Sequence, residues 1–393
     1  MYGVVLEGGG LKGGYHLGAM KAILECGYKI GGYVGTSIGS FNAAVLAQGD
    51  FDKLYEAWYN GSSALGLDVD EREIGKLVDK KWTLKSIKYW ANYVKDNITN
   101  KGVDSSKLKE LYSTYIDEKK LRKSNIDYGM VTVSLSDFKP VYMYKEDIPE
   151  GKIVPYVLAS SYLPMFKQED ILSDNKKYID GGFFDNRPFT LLIDKGYKEI
   201  IEIRTNAIGM TKWVSKKGLN IITIEPSKKL LSGIAISDNK SVRNDMEMGY
   251  YDALRVLKGY IGKKFYVIPT DDDKVFNSLV NLSDEKICSV IKNVKMAGIT
   301  EDMEPKKVLF EKILVNISSK LKNMDTLSYQ RLLVSMMEYV MAEEKDVYKL
   351  YTFEELFAEF KNKIPKYMKE QRAALIKDPT EILILNLLKY VEI

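Results

Sequence analysis

Gly35-Thr36-Ser37-Ile38-Gly39 sets a serine between two glycines. A short apolar stretch, Tyr33-Val34, precedes it, and the helix-forming run Phe41-Asn42-Ala43-Ala44-Val45-Leu46 follows. In a G-x-S-x-G turn between strand and helix, the serine is lifted above the sheet edge, where its hydroxyl can attack an ester carbonyl. Gly35 and Gly39, the flanking positions of this nucleophile elbow, tolerate a strained backbone and a close helix. The N-terminus of the helix behind Ser37 favours developing negative charge. Taken alone, the same five residues also describe a plain tight turn.

Gly8-Gly9-Gly10-Leu11-Lys12-Gly13 follows the first apolar stretch, Val4-Val5-Leu6. Exposed amides in such a loop can hold an oxyanion, and Lys12 adds a positive charge beside it. Gly8, Gly10 and Gly13 also fit the dinucleotide pattern G-x-G-x-x-G, which wants an acidic residue at the end of the next strand. Tyr33-Val34-Gly35 offers none, and the loop lacks the G-K-[ST] ending of a P-loop. Nucleotide binding is therefore the weaker reading.

A nucleophilic serine needs a base, and the usual partner is a histidine oriented by a carboxylate. The chain has one histidine, His16, on the helix just after the glycine loop. A structural role for it is favoured over a catalytic one. A carboxylate within hydrogen-bond reach of the hydroxyl is the alternative base. Ile179-Asp180-Gly181-Gly182 supplies one at an apolar strand end, although an Asp-Gly-Gly taken singly is an ordinary turn.

The three motifs together resemble the patatin-like phospholipase family. Their order is the family's: glycine loop, G-x-S-x-G serine, then D-G-[GA] aspartate. Ala159-Ser160-Ser161-Tyr162-Leu163-Pro164-Met165-Phe166 is similar to the family's segment before the aspartate, and Asp180-Gly181-Gly182-Phe183-Phe184-Asp185-Asn186-Arg187-Pro188 to its D-G-G-x-x-D-N-x-P stretch. The resemblance runs over about residues 1–270. It implies a three-layer α/β/α fold and a Ser–Asp dyad acting on acyl esters of lipids through an acyl-enzyme, as a phospholipase A or lysophospholipase does. It also implies Ser37 as nucleophile, Asp180 as base, and Gly8, Gly9, Gly10, Lys12 and Gly13 as the oxyanion loop. Glu7 stands where many members have Asp, and Lys12 where many have Arg; both keep the charge, though Lys loses the planar fork. Asp185 and Asn186 are expected to hold the loop below the site. An acyltransferase with the same dyad and a non-catalytic lipid-binding scaffold are the competing functions.

Positioning these residues requires strands that end where the motifs begin. Strand–turn–helix recurs twice in the first 60 residues, which points to a parallel sheet covered by helices. Further strands are expected at 128–133, 198–203, 221–224 and 265–268. Residues 61–125 form a helical, lysine-rich insertion, a candidate lid. Within it Ile87, Trp90, Ala91, Val94 and Ile98 share one helical face ringed by Lys80, Lys81, Lys85, Lys88, Trp82, Tyr89 and Tyr93. Such a face packs on a core or lies at a membrane interface. Past Asp271-Asp272-Asp273 the strands are expected to stop. Helical spacing at Phe310, Ile313, Leu314 and Ile317 and at Leu332, Leu333, Met336, Met337 and Val340 marks 275–393 as a separate α-helical region, after an α/β domain over 1–274. Thr352 and Glu355 fit a capping box, and Asp378-Pro379 fits an N-cap followed by proline.

The chain of 393 residues has 45% hydrophobic and 28% charged residues, the balance of a soluble protein. A net charge of +4 does not mark a nucleic-acid binder and would not oppose an anionic membrane. Cys26 and Cys288 lie far apart without metal spacing, so neither a disulfide framework nor a metal site is expected, and a reducing, cytoplasmic location fits. No cofactor is called for. No signal peptide and no apolar run of the ~20 residues that a span needs is visible. Any membrane contact is expected to be peripheral, the substrate partner is expected to be an acyl-ester lipid, and oligomeric state is not legible.

Overall fold

The computed structural model describes residues 1–61, 103–167, 169–233, 238–292, 299, 303–321, 328–341, 348–373 and 378–393. The amphipathic face at Ile87–Ile98 and most of the expected insertion lie outside these residues. The chain forms two compact units, Met1–Leu257 and Lys258–Ile393. The boundary thus falls before the 274 read from the sequence. The reason is β8 (Tyr266–Ile268), counted there with the first domain; it pairs in parallel with β9 (Leu350–Thr352) inside the second unit.

The first unit is built on a seven-stranded sheet ordered β4-β3-β2-β1-β6-β7, with β5 also paired to β3. The strands are β1 (Tyr2–Leu6), β2 (Ile30–Thr36), β3 (Asp127–Ser134), β4 (Lys139–Tyr144), β5 (Tyr178–Asp180), β6 (Glu199–Ile203) and β7 (Asn220–Ile224). β1, β2, β3, β6 and β7 run parallel, while β4 and β5 are antiparallel to β3. The central strands are buried on both faces, so they read as short apolar runs rather than alternating ones. On one face Val5 and Val34 cluster with Phe189, Leu191, Leu192 and Ile200, contributed partly by the helix Phe189–Asp194. On the other lie α1 (Gly14–Glu25) and α2 (Ile38–Ala47), and every residue of α2 is buried. Helices on both faces of a mostly parallel sheet make the expected three-layer α/β/α arrangement.

The second unit is mainly helical around one apolar core that includes Phe353, Leu356, Phe360, Met336, Met337 and Leu387. Two sequence signals form as read. Thr352 N–H donates to Glu355 Oε2 at 2.9 Å while Glu355 N–H donates to Thr352 Oγ1 at 3.1 Å, a reciprocal capping box. Asp378 Oδ1 accepts from the amides of Thr380 and Glu381 ahead of the helix Pro379–Leu388. The expectation that strands stop after Asp271 fails at β9, a strand of three residues too short to show a period. Among the described residues no helix is long and apolar enough to cross a membrane.

Candidate active site

The register of β3 brings Ser37 and Asp180 together. β2 pairs with β3 up to Thr36↔Val131. β5 takes over with Asp180↔Thr132, Ile179↔Val133 and Tyr178↔Ser134. β4 occupies the opposite edge of β3 over those residues. β2 and β5 therefore run toward each other along one edge of β3. Their carboxyl ends meet, and the next residue after β2 is Ser37.

Ser37 has φ 56 and ψ −130. This left-handed region is costly for a residue with a Cβ, by about 1–3 kcal/mol, and is held only where the surroundings enforce it. Here the Ser37 N–H donates to Ser160 Oγ at 2.9 Å, and Ser160 Oγ donates to Val131 O at 2.7 Å. The Ser40 hydroxyl donates to Ser37 O at 2.6 Å. These bonds fix the backbone and leave the Ser37 side chain to Asp180. That carboxylate is buried, and burial raises its pKa to about 6, opposed by hydrogen bonds from the Ser37 side chain and the Gly182 amide. The Gly182 N–H lies 2.7 Å from Asp180 Oδ1. An acid with a pKa near 6 is ionised at neutral pH yet basic enough to accept a hydroxyl proton in a transition state.

The glycine loop lies against the same point. A Cβ on Gly8 would stand 3.3 Å from Ser37 Cβ and 2.3 Å from Asn186 Oδ1. Gly9 has φ 156 and Gly10 φ 61, so the chain turns here in a conformation that favours glycine. The Gly8 amide donates to Asn186 O and the Lys12 amide to Gly9 O, both at 3.4 Å. The amides of Gly9 and Gly10 have no acceptor among the described residues. Gly13 serves packing: its carbonyl accepts from Asn42 Nδ2 at 3.1 Å, and a Cβ there would press on Ile38. The Lys12 ammonium is partly buried, which lowers its pKa against the pull of Glu7 and Asp245.

Beneath the loop lies a charged network in which Asp185 and Asn186 were expected but the pairing of Glu7, Arg187 and Glu202 was not. Glu7 accepts from the Thr205 amide at 2.6 Å, and Thr205 Oγ1 donates to Gly8 O at 2.7 Å. Arg187 Nη1 donates to Glu202 Oε1 at 2.6 Å, and its Nε is 3.8 Å from Glu7 Oε1. Asp185 accepts from Tyr142 OH at 3.0 Å and from the Lys212 amide at 3.2 Å, and burial raises its pKa to about 6. Asn186 fits between Gly8 and Gly182, so it braces the loop against the aspartate turn. Glu202 and Thr205 lie outside the three motifs and no local pattern marks them, while Ser160 lies in the 159–166 segment, which by itself gives it no role.

His16 stays apart from this chemistry. It is fully buried, and burial drops its pKa to about 3. Its Nδ1 is 3.2 Å from Asn42 Nδ2, which also donates to Gly13 O, while Asn42 Oδ1 accepts from Trp58 Nε1. Because an amide NH2 can only donate, Nδ1 is the acceptor and the ring is neutral. His16→Asn is expected to keep kcat/KM for a soluble ester within about tenfold of the parent, since general-base loss costs roughly 10²–10⁴. A larger fall in a folded variant, measured by steady-state kinetics, would restore histidine as a base.

The first unit is thus a mostly parallel α/β sheet with a strained serine where β2 turns into α2. Residues 4–193 match the model of the patatin-like phospholipase family, and the chain carries a patatin-like phospholipase domain. Lysophospholipase NTE1 of Cryptococcus neoformans is 25% identical over 216 residues, covering 53% of this chain and 11% of that protein. Lysophospholipase NTE1 of Kluyveromyces lactis is 26% identical over 212 residues, 52% of this chain and 13% of the other. A patatin-like phospholipase domain-containing protein of Caenorhabditis elegans, ZK370.4, is 24% identical over 237 residues, 56% and 15%. The chain thus spans at most 15% of the length of these relatives.

Proposed function

We propose that this protein is a lipid acyl hydrolase in which Ser37 attacks a carboxylic ester and Asp180 is its base. The observation that carries the reading is the meeting of β2 and β5, which sets a buried carboxylate with a pKa of about 6 against a strained serine. The family match and the lysophospholipase names of the relatives support a lipid ester as substrate. Ionised Asp180 takes the Ser37 proton as Oγ bonds to the carbonyl carbon. The free amides of Gly9 and Gly10 receive the oxyanion, where fixed N–H dipoles replace water. Collapse breaks the ester C–O bond, and the leaving alcohol or lysolipid takes the proton from Asp180. Water then attacks the acyl-serine, Asp180 accepts its proton, and the fatty acid leaves as Ser37 is reprotonated.

A fluorophosphonate probe should label the purified protein at Ser37, and a panel of phospholipids and lysophospholipids should yield fatty acid by mass spectrometry. Ser37→Ala should lose labelling and at least about 10³-fold in turnover. Labelling or hydrolysis at the parent's level in Ser37→Ala would remove Ser37 from the chemistry.

A further inference from the structure

The loops after β6 and β7 leave the sheet at the same edge as Ser37, because these strands run parallel to β1 and β2. Both reach the glycine loop. Thr205 and Ala207 lie against Gly9, and Lys229 acts on the charge of Lys12. Yet large apolar side chains on these loops point to solvent. Trp213 is 84% exposed, Leu231 61% and Ile208 41%. Tryptophan is large and usually well buried, so one this exposed, on loops that carry two other exposed aliphatics, is informative.

The loop is not loose there. The Arg187 guanidinium donates to Thr211 Oγ1 at 3.0 Å, and the Lys212 amide donates to Asp185, so the two residues before Trp213 are tied to the site. Leu231 is tied too, its amide donating to buried Asp245 Oδ1 at 2.9 Å. The exposed charge carried by these two loops is mostly positive, and the nearby acids Asp185 and Asp245 are buried. Lys212, Lys228 and Lys229 are exposed. Glu225 is the sole acid in residues 204–233, and it is paired with Arg204.

We propose that this edge docks on an anionic phospholipid bilayer, with Ile208, Trp213 and Leu231 entering the headgroup–acyl boundary and Lys212, Lys228 and Lys229 meeting lipid phosphates. Indole rings favour that boundary, apolar on one side and wet on the other. Each lysine near an anionic leaflet strengthens binding by about fivefold, an effect that salt screens. A protein partner with an acidic surface could match the lysines, but the outward tryptophan and aliphatics beside an ester-attacking serine favour a lipid surface. The proposal rests on the lipid-ester reading of Ser37, which gives this edge a reason to face a membrane.

The test separates the two. Ser37→Ala protein, which consumes no lipid, is sedimented with vesicles of phosphatidylcholine alone or with phosphatidylserine added, at low and high salt. Binding is expected with phosphatidylserine, weakened by salt. Adding Trp213→Ala should weaken it about tenfold, and Lys228→Glu with Lys229→Glu by more than about twentyfold. The same substitutions with Ser37 intact are assayed on a soluble short-chain ester and by thermal melting, which report folding apart from the membrane. Absence of binding to either vesicle, or binding that these folded variants leave unchanged, overturns the docking surface. Failure of the parent to hydrolyse any ester would instead strike the catalytic reading and leave the sedimentation result standing.

Discussion

Asp180→Asn is expected to lower kcat for ester hydrolysis by about 10³–10⁴ while making the fold more stable at neutral pH. The two effects share one cause. Loss of a positioned base in a serine hydrolase costs about that much, because the hydroxyl proton has nowhere to go as the bond forms. Burial, however, raises the Asp180 pKa from 3.8 to about 6. The folded state therefore holds this proton more tightly than the unfolded chain does. Its contribution to stability is fully present below pH 3.8 and is lost as pH rises through about 6. At about 1.4 kcal/mol per pKa unit, ionised Asp180 costs the native state on the order of 3 kcal/mol at pH 7. Asparagine is neutral at every pH and can still accept from the Gly182 amide. Paired steady-state kinetics and urea unfolding check both signs. A kcat within tenfold of the parent would show that another group is the base.

The same carboxyl sets the expected pH profile: activity rises as pH passes through about 6 and Asp180 ionises. Asp185 also titrates near 6, but its contacts are Tyr142, Arg187 and Lys212 rather than Ser37. In a folded Asp185→Asn variant the acid limb should persist.

The strands that lead into the motifs were legible because each is a short apolar run ending in a glycine-rich turn, as at Val4–Leu6 before Gly8 and Tyr33-Val34 before Gly35, while Tyr128–Val133 in β3 was legible from its apolar run alone. β4 was not read: Lys139-Pro140-Val141-Tyr142-Met143-Tyr144 opens on a lysine and a proline and has no clean alternation. Ser37 and Asp180 were legible as residues, but their meeting was not. It depends on β5 continuing the edge that β2 leaves, and pairing over such a sequence distance has no local signature. For the same reason Ser160, which receives the Ser37 amide, was quoted within a motif without a role. The Glu7–Arg187–Glu202 network was invisible, since its members lie on three separate segments.

Gly39→Ala is expected to destabilise the first unit by about 3 kcal/mol or more and to cut the soluble yield sharply. A Cβ at Gly39 would lie 2.3 Å from Leu6 O and 2.9 Å from Leu6 C. Leu6 cannot retreat, because it is paired with Gly35 on one side and Ile203 on the other. α2 cannot simply lift away either, since Gly35 packs on it just as closely; a Cβ at Gly35 would lie 2.3 Å from Gly39 O. Gly49→Ala is the comparison: φ is +89 with nothing within 4 Å, so it bears only the conformational cost of about 1 kcal/mol. Urea unfolding of the two variants separates crowding from backbone strain, and equal losses would refute the crowding account. Where Gly39→Ala does fold, α2 must have shifted. Ser37 is the N-cap of that helix, so its hydroxyl moves off Asp180 and activity falls with it. The glycines of the serine motif therefore bring the helix within backbone contact of the sheet, and that contact is what aims the Ser37 hydroxyl at Asp180.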